Sequence, residues 1–201
     1  MKLIGMMDSP YVRRVAVSLT LYGIEFESQP LSVFSTFDAF SQQNPVVKAP
    51  TLVLDDGTLL MDSTLILNYF ESVADASHTL LPQQPLALAE DLQLLGFILA
   101  ASEKAVQYVY EHRLRPAEKQ HQPWIERVTR QLLAACRAWE GALESRPPGD
   151  KADQVAVSST VVWTFIQRMI PEVVAAAEYP LIQRVSDRFE AQPAFQRYPH
   201  G

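Results

Sequence analysis

Apolar residues in the first third of the chain fall into short runs separated by turn residues, and in the remainder they repeat at helical spacing. Leu3 and Ile4 begin a short strand, and Ser9-Pro10 then marks a helix start, with serine at the cap and proline at the first helical position. Val12, Val15, Ala16 and Leu19 form the buried stripe of that helix, which Gly23 stops. Phe26 to Leu31 reads as a second strand, ended near Pro30, and residues 34–42 as a short, weakly patterned helix or loop. Thr51 to Leu54 and Leu59 to Met61 are two strands joined by Asp55-Asp56-Gly57-Thr58, a tight turn whose Asp-Gly pair tolerates positive φ, so the two should be antiparallel. After them Asp62 or Ser63 caps a helix that places Leu65, Ile66, Tyr69, Phe70 and Val73 on one face.

From Ser77 to Pro85 the periodicity lapses and two prolines intervene, which reads as a linker. Beyond it only helical patterns remain. Leu88, Leu92, Leu95, Leu99 and Val106 define one long helix; Ile125, Val128, Leu132, Trp139 and Leu143 define a second, ended by Arg146-Pro147-Pro148-Gly149. Val155 to Ile170 is apolar almost all round, and its length favours a buried helix over a strand. The order is therefore strand, helix, strand, helix, strand, strand, helix, then an all-helical bundle.

The chain has 201 residues, 48% of them hydrophobic and 20% charged, enough for one large or two small cores. A net charge of −6 argues against a nucleic-acid partner, and the Arg13-Arg14 and His112-Arg113-Leu114-Arg115 spots are too short to change that. The N-terminal residues lack a secretory pattern and no later segment reads as an uncharged membrane span, so a cytoplasmic protein without membrane attachment is expected. The lone Cys136 rules out an internal disulfide and reads as a small core residue. His78, His112, His121 and His200 are scattered without ligand spacing, so no metal is expected.

The most informative stretch is residues 44–69, which reads as a peptide-binding edge. Pro50 removes a backbone donor and biases Ala49 toward an extended conformation just before a strand, and with the Ala49–Pro50 bond cis, the N–H and C=O of Ala49 would face an extended peptide ligand. The helix start at Asp62-Ser63 offers free N–H groups to a carboxylate, while the Asp62 side chain can pair with an ammonium. One zwitterionic head group would be held at both ends.

The run Asn44-Pro45, Lys48-Ala49-Pro50-Thr51-Leu52, Leu60-Met61-Asp62-Ser63, Ile66 and Tyr69 resembles the glutathione-binding stretch of the cytosolic glutathione S-transferases, bacterial members included. Ser9-Pro10-Tyr11-Val12-Arg13-Arg14-Val15 is similar to the start of that family's first helix, and Tyr179-Pro180-Leu181 with Gln192-Pro193-Ala194-Phe195 to its last. The resemblance implies an α+β protein: a thioredoxin-like glutathione-binding domain (βαβαββα) over residues 1–76, a linker at 77–85, and an all-helical domain at 86–201 that carries an electrophile pocket. It also makes Asp150 and Asp153 similar to the capping box that opens the family's central buried helix, with aspartate where Ser or Thr is usual.

By the same resemblance Ser9 is the catalytic residue. A hydroxyl and backbone N–H groups at a helix N-terminus lower the pKa of a thiol held there, although a plain N-cap serine fits the position equally well without the family context. Ser in place of Cys points to conjugation rather than disulfide exchange. Glutathione, the co-substrate, would be held by Lys48 at its glycyl carboxylate, by the backbone of Ala49 before Pro50, and by Asp62 and Ser63 at its γ-glutamyl head. Tyr11, Lys104, Tyr108, His112 and the neighbouring Arg113 are candidates for the pocket of a small electrophile between the domains. The resemblance further implies a homodimer in which each N-terminal domain faces the partner's helical domain. Two other functions remain open: a non-enzymatic protein-interaction module of the stringent-starvation type, and a glutathione-dependent peroxidase or reductase.

Overall fold

The computed structural model describes all 201 residues. It contains four strands, β1 (Lys2–Ile4), β2 (Glu27–Gln29), β3 (Thr51–Val53) and β4 (Leu59–Met61), and eight α-helices. The helices are α1 (Pro10–Leu21), α2 (Phe37–Gln43), α3 (Ser63–Val73), α4 (Pro85–Leu114), α5 (Gln122–Ser145), α6 (Gln154–Met169), α7 (Pro180–Glu190) and α8 (Pro193–Gln196). Backbone proximity divides the chain into Met1–Leu81 together with Ala191–Gly201, and Pro82–Glu190.

The first unit is a mixed sheet of order β2-β1-β3-β4 flanked by helices, with the βαβαββα sequence of a thioredoxin-like domain. β1 runs parallel to β2 through the α1 crossover, as parallel pairing requires, and antiparallel to β3, which forms a hairpin with β4. Leu3 lies opposite Leu52, and Leu52 opposite Leu60. With Val12, Val15, Ala16 and Leu19 of α1 and Ile66, Leu67 and Phe70 of α3, Leu3 and Leu52 close one core. The β3–β4 turn has Gly57 at φ +88, and the Asp56 carboxylate accepts a hydrogen bond from the Thr58 N–H at 2.8 Å.

Ala191–Gly201 belongs to this unit because α1 holds it. The buried Arg13 donates to the carbonyls of Tyr198 (2.6 Å) and Phe195 (3.4 Å), and the Tyr198 ring stacks on Phe26 at 5.5 Å. Arg13 and Arg14 are 1% and 3% exposed, so the basic spot legible in the sequence is interior and not surface charge.

The apolar positions of α3 divide. Ile66, Leu67 and Phe70 are buried, whereas Leu65, Tyr69 and Val73 remain exposed. The expected single face is corrected to two adjacent stripes, since positions i, i+4 and i+8 from Leu65 lie about 100° round the helix from those that start at Ile66. Where 34–42 left helix and loop open, a turn precedes α2, with Phe34 and Phe37 exposed and Phe40 buried.

The second unit is all helical. α4 packs against α5 and α6, and α6 also against α7. α6 is buried from Gln154 through Trp163, as its near-continuous apolar sequence requires. Trp139 of α5, Trp163 of α6 and Tyr179 meet edge to face, at 6.1 and 5.9 Å between ring centroids. The inward stripe of α4 is Leu94, Leu95, Ile98, Ala101, Ala105 and Val109. Leu92, expected inside, is 51% exposed, because the buried arc of α4 runs through Asp91, Leu94, Leu95, Ile98 and Ala101 and leaves Leu92 beside it. By length and composition α4 could cross a membrane, but Glu90, Asp91, Glu103 and Lys104 interrupt its apolar run and its buried side contacts protein along the unit's core. Cys136 is fully buried and its thiol is pushed up to about 12 by burial.

The paired cap expected before α6 takes another form. Asp153 alone caps the helix, accepting from the Ala156 N–H at 2.8 Å, because α6 begins at Gln154. Asp150 lies outside in solvent, 3.3 Å from Arg188. Asp153 also accepts from Arg146 at 3.0 Å, and the same guanidinium bonds the buried Asp91 of α4 at 2.6 Å.

Candidate functional site

Three chain segments of the first unit form the candidate site: the β1–α1 loop, the turn before β3, and the start of α3. Gly5 fixes the first. It has φ +142, and a Cβ there would lie 2.5 Å from Val12 Cγ2 and 3.3 Å from Ala49 Cβ, so only glycine lets this loop pass against the turn before β3. Ser9, with φ −75 and ψ 122, is the N-cap of α1, and its Oγ accepts a long hydrogen bond of 3.4 Å from the Val12 N–H. The hydroxyl is half-buried, so it can also donate to an anion at the helix end.

The Ala49–Pro50 bond is cis. The residues around it are anchored from beneath. The Asn44 amide donates to Thr51 Oγ1 at 2.8 Å, and Thr51 donates to the Lys48 carbonyl at 2.7 Å. The backbone N–H and C=O of Ala49 engage no protein partner. A half-buried residue with both backbone groups free is suited to pairing with one residue of a peptide.

At the third segment Asp62 caps α3, and its Oδ1 accepts from the Thr64 N–H at 2.9 Å. Its backbone has φ +71 and ψ 126, a conformation an L-residue rarely adopts. The second carboxylate oxygen lies 3.9 Å from Lys48 Nζ, so Lys48 and Asp62 face one another across an exposed gap. Ser63 is 3% exposed at the first position of α3, and Arg14 Nη1 donates to its hydroxyl at 3.3 Å and to that of Thr64 at 3.2 Å. Burial lowers the Arg14 pKa to about 10, while Asp62, then Tyr22 and Tyr11, act to raise it; the side chain is a full cation at neutral pH. Tyr11 is half-buried on the first turn of α1.

In the second unit Lys104, Tyr108 and His112 follow one another along α4. Lys104 is held within its own helix by Glu103 (2.9 Å) and Gln107 (3.3 Å). Tyr108 and His112 stack at 4.1 Å, and His112 Nδ1 is 2.8 Å from the Tyr108 carbonyl. Tyr108 also walls a cavity of ≈ 410 Å³, which Lys104 and His112 do not line. Arg113 is exposed. The chain brings together no group of three or more His, Cys, Asp or Glu side chains able to hold a metal ion.

Residues 3–78 match the model of the glutathione S-transferase N-terminal domain. An uncharacterized glutathione S-transferase-like protein of Escherichia coli is 31% identical over 130 residues, which are 59% of this chain and 64% of that one. The structure superposes on a glutathione S-transferase from Methylobacterium radiotolerans, solved with glutathione sulfonate, with a TM-score of 0.90 at 26% identity, over 100% of this chain and 95% of that one. The chain is similar to the glutathione S-transferases in its N-terminal domain and in its fold. A maleylacetoacetate isomerase of Pseudomonas aeruginosa is 26% identical across 98% of this chain and 94% of its own. The matched stretches span from 64% down to 37% of the length of the first four curated relatives.

Within this family setting one residue of the site was not legible beforehand. Arg14 underlies Asp62 and Ser63, and its signal was an arginine placed directly beside Val12 and Val15 in the buried stripe of α1. A cation on an apolar face requires an interior partner. The sequence does not say which element supplies it.

Proposed function

We propose that the chain is a glutathione transferase that activates the glutathione thiolate for attack on a small electrophile. The observation that carries this reading is the free backbone of Ala49 beside a helix start whose capping carboxylate, Asp62, faces Lys48. Residues 1–76 form the glutathione domain and the helices from residue 86 to Glu190 the domain with the electrophile pocket, since Ala191–Gly201 packs on the first unit.

In this reading Ala49 pairs with the backbone of the cysteinyl residue of glutathione. The free N–H groups at the start of α3, with the Ser63 hydroxyl, receive the γ-glutamyl carboxylate, and Asp62 receives the α-ammonium. Lys48 serves the glycyl carboxylate. It gives up only an exposed, 3.9 Å pairing with Asp62 to do so, an interaction worth little in water. The Ser9 hydroxyl and the N-terminus of α1 then stabilise the thiolate. Each unit by which the thiol pKa falls corresponds to about 1.4 kcal/mol. Serine cannot form a mixed disulfide, which favours conjugation over a reductase or peroxidase cycle that runs through an enzyme thiol. The isomerase relative adds glutathione-dependent isomerisation as a second outcome of the same thiolate chemistry.

Tyr11, Lys104, Tyr108 and His112 are proposed for the electrophile pocket. A homodimer is proposed as well: Leu65, Tyr69 and Val73, at 62%, 40% and 57% exposure, leave an apolar stripe of α3 for a second copy to cover. The protein is proposed to be cytoplasmic.

Two measurements test the reading. Calorimetry with glutathione should give one site per chain, weakened in Asp62→Ala; absorbance titration of the bound thiolate should give a higher pKa in Ser9→Ala than in the wild type. Absence of glutathione binding by the wild type would leave the non-enzymatic interaction module as the better account.

A further inference from the structure

The three parts of the proposed glutathione site are held with unequal firmness. Asp62 is fixed by the Thr64 N–H at 2.9 Å, and the buried Ser63 beside it by Arg14 at 3.3 Å. Ala49 presents a free N–H and C=O above the hydrogen bonds that join Asn44, Thr51 and Lys48. At the place assigned to the glycyl carboxylate there is Lys48, its side chain 52% exposed and its ammonium 3.9 Å from an Asp62 oxygen.

No second cation supplements it. Residues 15–77 contain no other lysine, arginine or histidine. Elsewhere in the first unit Arg13 and Arg14 are interior, Lys2 opens β1 at the end away from the β1–α1 loop, and Arg197 covers the Tyr198 ring at 5.6 Å. Three of the four hydroxyls between β2 and Lys48 are spent on their own segment. Ser32 Oγ accepts from the N–H groups of Phe34 and Ser35, the Thr36 hydroxyl donates to the Ser32 carbonyl, and that of Ser41 to the Asp38 carbonyl. A single exposed ammonium adds at most about fivefold to affinity in water, so the glycyl residue contributes little to recognition.

A ligand without glycine also gives the site something to hold. In γ-glutamylcysteine the cysteinyl carboxylate stands where the tripeptide has an amide carbonyl. Its oxygen accepts from the Ala49 N–H as a charge-assisted hydrogen bond, stronger than the neutral one it replaces. Lys48 precedes Ala49 in the chain and carries its ammonium on a flexible stem, so it can follow the carboxylate there. Both peptides carry one ammonium and two carboxylates, so long-range attraction does not separate them.

We propose that recognition ends at the cysteinyl residue, so that the site takes γ-glutamylcysteine as well as glutathione and its substrate class is γ-glutamylcysteinyl thiols. This deepens the glutathione reading and rests on it.

The probes are glutathione, γ-glutamylcysteine and cysteinylglycine, titrated calorimetrically into the full chain under reducing conditions. Glutathione and γ-glutamylcysteine should each bind one per chain, the dipeptide no more than about fivefold the weaker. Cysteinylglycine, which lacks the γ-glutamyl head, should bind at least about a hundredfold more weakly than either. Asp62→Asn keeps an oxygen to cap Thr64 and removes the charge, so the variant should fold and should weaken glutathione and γ-glutamylcysteine by the same factor. The proposal is overturned by a dipeptide weaker than that limit, by a dipeptide that Asp62→Asn leaves unaffected while glutathione weakens, or by cysteinylglycine binding as well as γ-glutamylcysteine. Failure of the wild type to bind glutathione overturns the glutathione reading and the proposal with it, whereas glutathione binding with rejection of the dipeptide overturns the proposal alone.

Discussion

The Arg14 guanidinium lies under the first turn of α3, with Nη1 3.3 Å from the Ser63 hydroxyl. Because Arg14 is interior and Asp62 is the largest of the charges that favour its protonated form, the cation links α1 to the two residues proposed to hold the γ-glutamyl group. Arg14→Met keeps the length of the side chain and removes the charge and both hydroxyl contacts. Glutathione affinity should fall about tenfold, as one charge-assisted contact implies. Arg14→Lys should recover only part of it, since one ammonium cannot reproduce the guanidinium geometry. Calorimetry on all three proteins decides; equal affinity with an intact fold would exclude this supporting role.

Asp62 combines a capping side chain with a strained backbone, and two substitutions separate these. Asp62→Ala removes the cap to Thr64 and keeps the φ of +71, so it should lower stability by about 1 kcal/mol or more. Asp62→Gly forfeits only a few tenths of the capping energy and relieves backbone strain of about 1–3 kcal/mol, so it should melt above the wild type. Both should bind glutathione weakly, because both lack the carboxylate. A glycine variant less stable than the alanine variant would show that the strain argument fails.

These two cases mark where reading the sequence succeeds. Strand and helix order, the Ser9-Pro10 cap, the Asp56-Gly57 turn and the Asp62-Ser63 helix start are encoded locally, in residues adjacent in the chain, and were legible. The division of α3 into buried and exposed apolar stripes was not. Periodicity counts apolar positions but cannot tell which of two neighbouring arcs meets the sheet. The same limit misplaced Leu92 of α4, which lies just beside the buried arc through Asp91, Leu94, Leu95 and Ile98. Arg14 and Arg146 escaped for another reason: each has a partner at least 49 residues away, Ser63 in one case and Asp91 in the other.

Gly5 provides a test of how tightly the β1–α1 loop is held against the turn before β3. In Gly5→Ala the new methyl would sit 2.5 Å from Val12 Cγ2, on a backbone with φ +142. Overpacking and backbone strain together should cost about 2–4 kcal/mol. Val12→Ala in the same chain should relieve the overlap and leave the strain, so the double variant should be more stable than the sum of the two single effects. Denaturant unfolding of the four proteins gives the coupling directly, and strict additivity would mean that the loop moves aside instead.

The buried carboxylate of Asp91 ties the start of α4 to the end of α5, and its pH dependence has a definite sign. Burial raises the Asp91 pKa and outweighs the opposing attraction of Arg146; the nearby Asp153 and Glu90 raise it further. Its pKa in the folded protein is therefore above the unfolded value of about 3.8. The folded state binds the proton more readily, so Asp91's contribution to stability decreases as pH rises from the unfolded pKa through the folded one. Arg146→Met removes the cation, leaves the 1%-exposed Asp91 without its partner, and should lower stability at neutral pH by about 3–5 kcal/mol. The folded Asp91 pKa should then rise further and widen that window. The difference from the wild type should shrink as the pH is lowered toward 4, where the neutral carboxyl needs no counter-ion. Adding Asp91→Asn to Arg146→Met should restore much of the neutral-pH loss. Thermal melts of the three proteins from neutral pH downward measure both effects; a pH-independent difference between Arg146→Met and the wild type would show that the loss comes from packing and not from the stranded charge.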